Sequence, residues 1–287
     1  MRVDAHVHVF PEAMALHRAA YARRDGTFRD LYASPKAKLA TAEALIESMD
    51  RSGMDAAVLV NIGWATQRLC AETNDYIIAS ASKYPGRLIP MCTVNPRLGK
   101  QAVREIERCA ALGARGVGEL HPDPQGYDLA DATIMAPVME AAARHGLPVL
   151  VHASEPVGHA YAGKGTVTPQ KLLAFITAFP QATIICAHWG GGLPFYALMP
   201  EVCQALARVY FDTAASPFLY DEQIFSIVPK IVGAERVLFG TDFPLINYQR
   251  LAAQVAASKV SPRAKGLILG GNAAQLFGLR QAQSGPG

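Results

Sequence analysis

Short apolar and β-branched runs recur eight times along this 287-residue chain, and each is followed by a longer segment with helical periodicity. This alternation is typical of repeated strand–helix units whose parallel strands form one sheet. Runs such as TIICAHW and RLIPMCTV are apolar on both faces, as expected for strands buried between outer helices and packed inner side chains. The eight runs cover residues 3–9, 56–62, 88–94, 116–120, 148–153, 183–189, 209–213 and 237–242.

This pattern predicts an α/β fold, and specifically a (β/α)8 barrel of the TIM type. The alternative, an open doubly wound sheet, lacks its usual G-x-G-x-x-G motif after the first strand. Helix signals agree with the repeat, because Thr41 can cap a helix start and Gly53, Gly113 and Gly146 follow helical segments. A hydrophobic content of 51% suits one large core, so we expect a single domain over residues 1–280 and a tail over 281–287.

The segment from residue 11 to residue 38 is long for a strand–helix connection and carries many charges. Connections of this length at the mouth of a barrel are often functional. We therefore expect this segment to form a lid over the barrel mouth.

Charge and cysteine content limit the partners. The formal net charge is +3 with no dense basic run, which gives no support for a nucleic-acid partner. No apolar run reaches the roughly 20 residues that span a bilayer, and the start, MRVDAHVHVF, does not resemble a secretory signal. The cysteines lack a C-x-x-C pair and are expected to be reduced core residues. We expect a cytoplasmic protein that acts on a small molecule, without a membrane partner, and a homodimer is left open.

The strongest chemical signal is the pair His6 and His8 in VDAHVHVF. Residues two apart on a strand point to the same side, so both imidazoles are expected to face the barrel interior. Two neutral imidazoles in that position suit a divalent metal. For this motif alone, the alternative to metal binding is that both histidines are simply polar residues near a strand end.

Three further ionisable residues end other predicted strands: His152 in PVLVHA, His188 in TIICAHWGGG and Asp242 in RVLFGTDFP. Barrel enzymes build their active sites from the C-terminal ends of different strands, so these residues should meet at one mouth. Buried ionisable groups without partners are costly, and a bound cation would remove that cost.

Two carboxylates complete the candidate set. Glu119 in ARGVGEL ends the fourth predicted strand, where it can reach one metal, bridge two, or instead pair with a neighbouring Arg or Lys. Asp4 shares the inner side of the first strand, one layer deeper than His6 and His8. We expect Asp4 to accept a hydrogen bond that orients an imidazole.

The chain resembles the amidohydrolase superfamily, and within it the amidohydrolase-related family (amidohydrolase 2) that includes aminocarboxymuconate-semialdehyde decarboxylase and gamma-resorcylate decarboxylase. The motifs VDAHVHVF, GVGEL, VHASEPVGHAYAGKG, CAHWGGGLPF, LFGTDFP and GGNAAQLFG carry the resemblance, in family order, over nearly the whole chain. The resemblance implies a metal bound by His6, His8, His152 and Asp242. It also implies that His188 either binds a second metal or holds the attacking water.

The resemblance leaves the reaction to be chosen. TatD-type hydrolases of the superfamily carry a glutamate like Glu119 between two metals, which favours a metal-dependent hydrolase that cleaves a C–N or C–O bond of an amide, lactone or ester. In that mechanism Asp242 and His188 are catalytic, and a metal-bound hydroxide attacks. The alternatives are a non-oxidative decarboxylase of a small aromatic or enol carboxylate and a barrel that binds ligand without catalysis. The expected cofactor is a divalent metal, zinc first, as one ion or possibly two.

Residues near the predicted mouth are candidates for substrate binding. Most lie in the glycine-rich loop EPVGHAYAGKG, where a lysine can pair with a substrate carboxylate, although such a lysine is often merely solvated. The candidates are His121, Glu155, His159, Tyr161, Lys164 and Trp189.

Overall fold

A computed structural model of the chain describes residues 1–279 and contains all eight expected strands, joined by helices. The expected tail, residues 281–287, lies outside the described residues. The strands are β1 Val3–Val7, β2 Ala56–Leu59, β3 Leu88–Pro90, β4 Val117–Leu120, β5 Val149–Val151, β6 Ile184–Cys186, β7 Val209–Asp212 and β8 Val237–Leu238.

The helices alternate with the strands in the order that the sequence predicts. Within residues 1–279, no helix is both long and apolar enough to cross a bilayer. The helices are α1 Glu12–Leu16, α2 Arg18–Arg24, α3 Gly26–Tyr32, α4 Ala42–Ser52, α5 Gln67–Lys83, α6 Lys100–Ala111, α7 Pro122–Gln125, α8 Ala132–Arg144, α9 Pro169–Ala178, α10 Pro200–Ala205, α11 Ser216–Leu219, α12 Ile224–Val232, α13 Tyr248–Ala257, α14 Pro262–Gly266 and α15 Asn272–Leu276.

The strands pair in parallel in two groups, β1 to β3 and β4 to β8, and isolated bridges close both gaps. Between β3 and β4, Cys92 pairs with Val117. Between β8 and β1, Val7 pairs with Phe243, and the Ala5 amide donates to the Phe239 carbonyl at 2.6 Å. Each strand therefore has a neighbour on both sides, as in a closed (β/α)8 barrel, and the predicted fold class is confirmed.

All eight strands are shorter than predicted, chiefly at their C-terminal ends. The backbone leaves the extended conformation just where the candidate site residues begin, and His188 and Asp242 both adopt left-handed φ angles of 54° and 62°. His8, His152, His188 and Asp242 consequently lie just beyond their strands rather than on them. This places them at the barrel mouth and leaves the strands to form the core below.

Local sequence rules explain the helix boundaries. The Thr41 hydroxyl accepts from the Ala44 amide at 3.3 Å and starts α4, as predicted. Gly53 ends α4 with a φ of 63°, a conformation that costs little without a Cβ. The cysteine prediction holds for four of five residues, since Cys203 alone is exposed.

The expected lid segment forms three short helices, α1 to α3, instead of a loop. The Asp25 carboxylate caps α3 by accepting from the Phe28 amide at 3.0 Å, and it also accepts from the Ala65 amide at 2.8 Å. The Phe28 ring stacks on Trp64, with centroids 5.7 Å apart. The segment is therefore anchored to the turn that follows β2, and its end reaches the barrel mouth.

The turn after β6 yields a stability prediction. Gly191 has a φ of +59°, and a Cβ added there would lie 2.3 Å from the Ser154 carbonyl oxygen. Because both the strain and the clash oppose a side chain, we expect Gly191→Ala to lower the free energy of unfolding by roughly 2–4 kcal/mol. Urea denaturation measures this change.

Gly266 provides the matched control. Its φ of −63° is helical and a Cβ there meets nothing within 4 Å. We expect Gly266→Ala to leave stability unchanged or to raise it by up to about 1 kcal/mol. Equal stabilities of the two variants would contradict the proposed close approach at Gly191.

Candidate active site

The C-terminal ends of the strands surround a cavity of about 340 Å³. Its floor is polar and carries both carboxylates that line the cavity, Glu119 and Asp242. Its walls are mostly apolar and come from the lid segment and from the loops after β5, β7 and β8. The polar floor consists of His8, Glu119, His121, His152, His188 and Asp242, and the walls include Leu31, Tyr32, Ala37, Ala162, Ala215, Phe218, Leu219, Pro244 and Leu245.

One group of possible ligand atoms lies beside β1. The Nε2 atoms of His6 and His8 are 3.1 Å apart. Glu119 Oε2 lies 3.5 Å from the first nitrogen and 3.7 Å from the second. Asp242 Oδ1 lies 3.3 Å from His8 Nε2. The structure thus brings together the β1 histidines and both carboxylates that the sequence predicted for the metal site.

A second group lies on the other side of Glu119. His152 Nδ1 is 2.9 Å from Glu119 Oε1 and 3.2 Å from His188 Nε2. His188 Nε2 is itself 3.5 Å from the same carboxylate oxygen. Glu119 therefore faces the two groups with one oxygen each, and its carboxylate lies between the four predicted imidazole ligands.

Three imidazoles are held in place through the ring nitrogen that faces away from these groups. Each of these nitrogens meets an oxygen that can only accept, so it must carry the proton and donate. The pairs are His6 Nδ1 with Asp212 Oδ2 at 2.8 Å, His188 Nδ1 with the Ala214 carbonyl at 3.2 Å, and His152 Nε2 with the Gly163 carbonyl at 3.0 Å. When the rings are neutral, their other nitrogens present lone pairs to the cavity.

These lone pairs fit a divalent cation. In neutral rings, the His152 Nδ1 lone pair faces a carboxylate oxygen 2.9 Å away, a repulsive arrangement unless a proton or a cation compensates it. Ligands bound about 2.1 Å from one ion lie about 3.0–3.4 Å apart, close to the separations in both groups. His8 Nδ1 is in addition buried without a hydrogen-bond partner among the described residues. Imidazole nitrogen and carboxylate oxygen are suitable donors for zinc and manganese.

The electrostatic environment also favours a cation. Burial raises the pKa of Glu119, but the positive charge that its neighbouring imidazoles take up outweighs burial and holds that pKa well below its usual range. Burial lowers the pKa of His188, yet the Glu119 carboxylate raises it to about 9. The buried carboxylates therefore stay ionised and attract positive charge, whether as protons on the imidazoles or as a metal ion.

His121 differs from the other imidazoles of the site. Its Nδ1 accepts a hydrogen bond from the Gly63 amide at 3.0 Å, so a neutral ring carries its proton on Nε2. Burial lowers the pKa of His121 to about 3, which keeps the ring neutral. The Nε2–H lies 3.5 Å from Glu119 Oε2 and lines the cavity. His121 is thus placed as a hydrogen-bond donor at the floor, near the expected substrate.

The expected role of Asp4 is wrong. Its carboxylate accepts from the Thr241 amide at 2.9 Å, from the Thr241 hydroxyl at 2.6 Å and from the His6 amide at 3.2 Å, but from no imidazole in residues 1–279. Asp212, at the end of β7, orients His6 instead. It also accepts from the backbone amides of His188 and Ala214, at 2.9 and 3.0 Å.

Of the remaining predicted substrate-binding residues, only some line the cavity. His159 and Tyr161 line the cavity, as does His121. Three others do not line it. Glu155 accepts from the Tyr161 hydroxyl at 2.9 Å, and Lys164 donates to two backbone carbonyls of its own loop at 2.7 and 3.0 Å. Trp189 is fully buried and donates to the Ser216 hydroxyl, so it is a packing residue.

Sequence reasoning missed the two polar cavity residues of the lid segment, Tyr32 and Lys38. Burial, together with the charges of Asp242 and Glu119, raises the pKa of the Tyr32 phenol well above its ordinary value, so the hydroxyl remains a donor. The predicted lid was the signal that could have identified both residues, because a lid that covers a site must contribute side chains to it.

A profile of the family described as Amidohydrolase matches residues 3–279. Two relatives align over most of the chain. A 2-amino-3-carboxymuconate-6-semialdehyde decarboxylase of Dictyostelium discoideum is 23% identical and covers 97% of this chain and 92% of its own. A gamma-resorcylate decarboxylase of Polaromonas sp. is 24% identical and covers 82% of this chain and 87% of its own.

Solved structures share the fold. The 5-carboxyvanillate decarboxylase of Sphingomonas paucimobilis superposes with a TM-score of 0.79 at 19% identity, over 97% of this chain and 99% of its own. A dihydroxybenzoic acid decarboxylase of Polaromonas sp., with bound manganese and 2-nitroresorcinol, gives a TM-score of 0.76 at 19% identity, over 98% of both chains.

The expectation of hydrolysis is wrong, because these relatives and neighbours are decarboxylases. That expectation depended on Glu119. The carboxylate does face the candidate ligands, but a glutamate in that position does not specify the bond that is cleaved. The same ligand set can serve a reaction that releases carbon dioxide.

The contacts of Asp212 yield a prediction about metal affinity. In Asp212→Asn, an amide NH₂ can face His6 Nδ1, which favours the tautomer with its proton on Nε2, where the lone pair is needed. We expect this variant to bind Mn²⁺ and Zn²⁺ about 10- to 100-fold more weakly in a competition titration with a chromophoric chelator.

Asp4→Asn is the matched control, because Asp4 is equally buried near His6 and contacts no imidazole among the described residues. Its metal affinity should stay within about threefold of that of the unmodified protein. An Asp212→Asn protein with undiminished affinity would show that Asp212 does not hold the His6 tautomer.

Proposed function

We propose that this chain, which belongs to the amidohydrolase family, is a metal-dependent, non-oxidative decarboxylase of a small aromatic or enol carboxylate. One observation carries the proposal: a group of metal-type ligands forms the floor of a cavity whose walls are mostly apolar. The names of the two relatives support the reaction class, since both are decarboxylases that share most of the length of this chain.

The cavity suits a planar, mainly apolar molecule with one anionic end. Its volume of about 340 Å³ lies at the small end of the range for ligand pockets, about 300–1,000 Å³, and is sufficient for a substituted ring. Phe218, Leu219 and Leu245 lie among its apolar walls. The anionic carboxylate of the substrate would then lie at the floor, where a cation would compensate its charge.

We assign the metal to His6, His8, His152 and Asp242, with Glu119 as a further carboxylate between them. We propose one ion, because a single divalent charge neutralises the two carboxylates that line the cavity. The donor set suits zinc and manganese, and manganese occurs in a solved neighbour. When bound, the ion would supply Lewis-acid chemistry toward the substrate carboxylate and toward charge that develops on the neighbouring substrate oxygen.

Decarboxylation also needs a proton at the carbon that loses carbon dioxide. When the carbon–carbon bond breaks, the electron pair stays on the ring carbon, and one proton must be delivered to it. We assign this delivery to His188, whose Nδ1–H is fixed by the Ala214 carbonyl while its Nε2 side lines the cavity. The negative charge of Glu119 favours the protonated ring that can donate. His121 and Tyr32 offer further hydrogen bonds to substrate oxygens.

The reaction class can be tested with a substrate panel. Purified protein loaded with Mn²⁺ or Zn²⁺ should release carbon dioxide from at least one hydroxylated benzoate or enol carboxylate, and a chelator should abolish the release until metal is restored. Detection of carbon dioxide and of the shortened product measures the reaction. Acid production from lactones or esters, without carbon dioxide release from any carboxylate, would reject the proposal.

The roles of His188 and Asp242 predict different losses. Because His188 delivers a proton, His188→Asn should lower kcat by about 10²- to 10⁴-fold while metal content stays near one equivalent. Because Asp242 is a ligand, Asp242→Asn should lose metal as well as activity. Elemental analysis of each variant, alongside kcat, separates the two effects.

Full turnover by His188→Asn would eliminate it as the proton donor. A metal content near two equivalents in the unmodified protein would instead make Glu119 a bridging ligand.

A further inference from the structure

A second cavity, which we call the side cavity, lies beside the active-site cavity and has a volume of about 640 Å³. Its walls come from α3 of the lid segment, from α7 and from the loop after β5. Two residues of its lining, Arg29 and Asp30, have side chains that are 61% and 47% exposed. The side cavity therefore reaches the protein surface on the α3 side of the barrel mouth.

The side cavity meets the active-site cavity at the polar floor. His121 and His152 line both cavities, and so do Leu31 and Ala162. The two imidazole rings stack with their centroids 4.7 Å apart. By contrast, the apolar walls after β7 and β8, such as Phe218, line the active-site cavity and not the side cavity. The junction is thus at the level of the candidate metal ligands.

A close contact between the lid segment and the loop after β5 separates the two cavities beside this junction. A Cβ added to Gly163 would lie 2.5 Å from Leu31 Cδ2, so the leucine side chain packs directly on the glycine backbone. Leu31 is only half-buried. Because one side chain forms this barrier, a change of its rotamer, which is a fast motion, is enough to widen the junction.

The charged groups that line the side cavity are already engaged with other groups of the protein. Arg29 Nε lies 3.2 Å from Asp30 Oδ1, and Lys164 donates to two carbonyls of its own loop. The Asp123 carboxylate accepts from the amide and the hydroxyl of Thr166, at 2.7 and 2.6 Å. Since each charge has a partner, the lining retains neither an anion nor a cation, and it suits the passage of a small neutral molecule.

The proposed reaction forms one small neutral molecule at the floor. When the bond between the ring carbon and the carboxyl carbon breaks, the carboxyl group leaves as carbon dioxide. The electron pair stays on the ring carbon, which takes up one proton. The ring itself lies between the apolar walls, so it stands between the new carbon dioxide and the mouth. The side cavity opens at the level where carbon dioxide forms.

We propose that carbon dioxide leaves through the side cavity while the ring product is still bound, and that the ring product then leaves through the mouth. This inference rests on the proposed function and adds an order of product release to it. Carbon dioxide is linear and slim, so it passes a junction that a substituted ring does not. Its early escape also prevents it from recombining with the ring carbon before the proton arrives.

Product inhibition of the metal-loaded protein reveals the order of release. The ring product should compete with the substrate because it leaves last, whereas dissolved carbon dioxide should give mixed inhibition because it leaves first. Asp30→Trp places an indole in the side cavity, and Asp30 does not line the active-site cavity. We expect this variant to lower kcat about three- to tenfold, since product release then limits turnover. The two inhibition patterns should exchange.

Asp30→Asn is the matched control, because it removes the ion pair with Arg29 and adds no bulk to the side cavity. Its kcat and its inhibition patterns should match those of the unmodified protein. Arg29→Trp, at the neighbouring exposed position, should reproduce the effect of Asp30→Trp. An equal loss in Asp30→Asn would assign the effect to the lost charge and reject the passage. Unchanged kcat and unchanged patterns in both tryptophan variants would also overturn the proposal.

A structural measurement separates failure of the passage from failure of the proposed reaction. In crystals of the metal-loaded protein pressurised with carbon dioxide, density for the gas should appear in the side cavity between Asp30 and His152. The indole of Asp30→Trp should displace it. Carbon dioxide in the side cavity of a protein without decarboxylase activity would support the passage and reject the reaction. A side cavity without carbon dioxide in an active protein would reject the passage.

Discussion

The structure depends on a group of imidazole lone pairs and ionised carboxylates that converge in a buried space. His6, His152 and His188 each donate one N–H to a fixed acceptor and thereby direct the other nitrogen toward Glu119. Such an arrangement is costly to bury unless positive charge compensates it. A divalent cation would supply that charge, and the residues around the group fix the ring orientations.

The barrel supplies the positions that this group requires. Neighbouring strands bring residues remote in the chain to one mouth, and the strands end early enough for His8, His152, His188 and Asp242 to lie in the turns that follow. Below the mouth, Asp212 on β7 connects His6 to the backbone of His188. Above the mouth, the lid segment and the loop after β8 provide apolar walls, and Lys38 of the lid segment adds a cation.

The sequence could predict features that follow from periodicity and chain order. The alternation of strands and helices predicted the barrel, and the two-residue spacing of His6 and His8 predicted that both imidazoles share the inner side. The ionisable residues at the ends of several predicted strands indicated which side chains meet at the barrel mouth. Motif order along the whole chain indicated the family, which the profile match confirms.

Other features depend on contacts that no local pattern carries. Asp4 and Asp212 are both aspartates on inner strand positions, and only the closed barrel, which brings the end of β7 to the His6 ring, decides which one meets an imidazole. Lys164 looked available in a glycine-rich loop, but that loop folds back so that its own carbonyls accept from the ammonium. The prediction of hydrolysis was wrong because the ligand residues indicate a metal site and not a reaction. The cavity walls and the relatives indicate which bond breaks.

If imidazoles and carboxylates from separate strands share one cation, that cation must carry several imidazole rings in its coordination sphere. X-ray absorption spectroscopy at the metal edge of the Mn²⁺-loaded protein detects them. We expect a first shell of nitrogen and oxygen at about 2.0–2.3 Å, with the outer-shell scattering of several imidazole rings and no sulfur. A spectrum of a hydrated ion without imidazole scattering would contradict it.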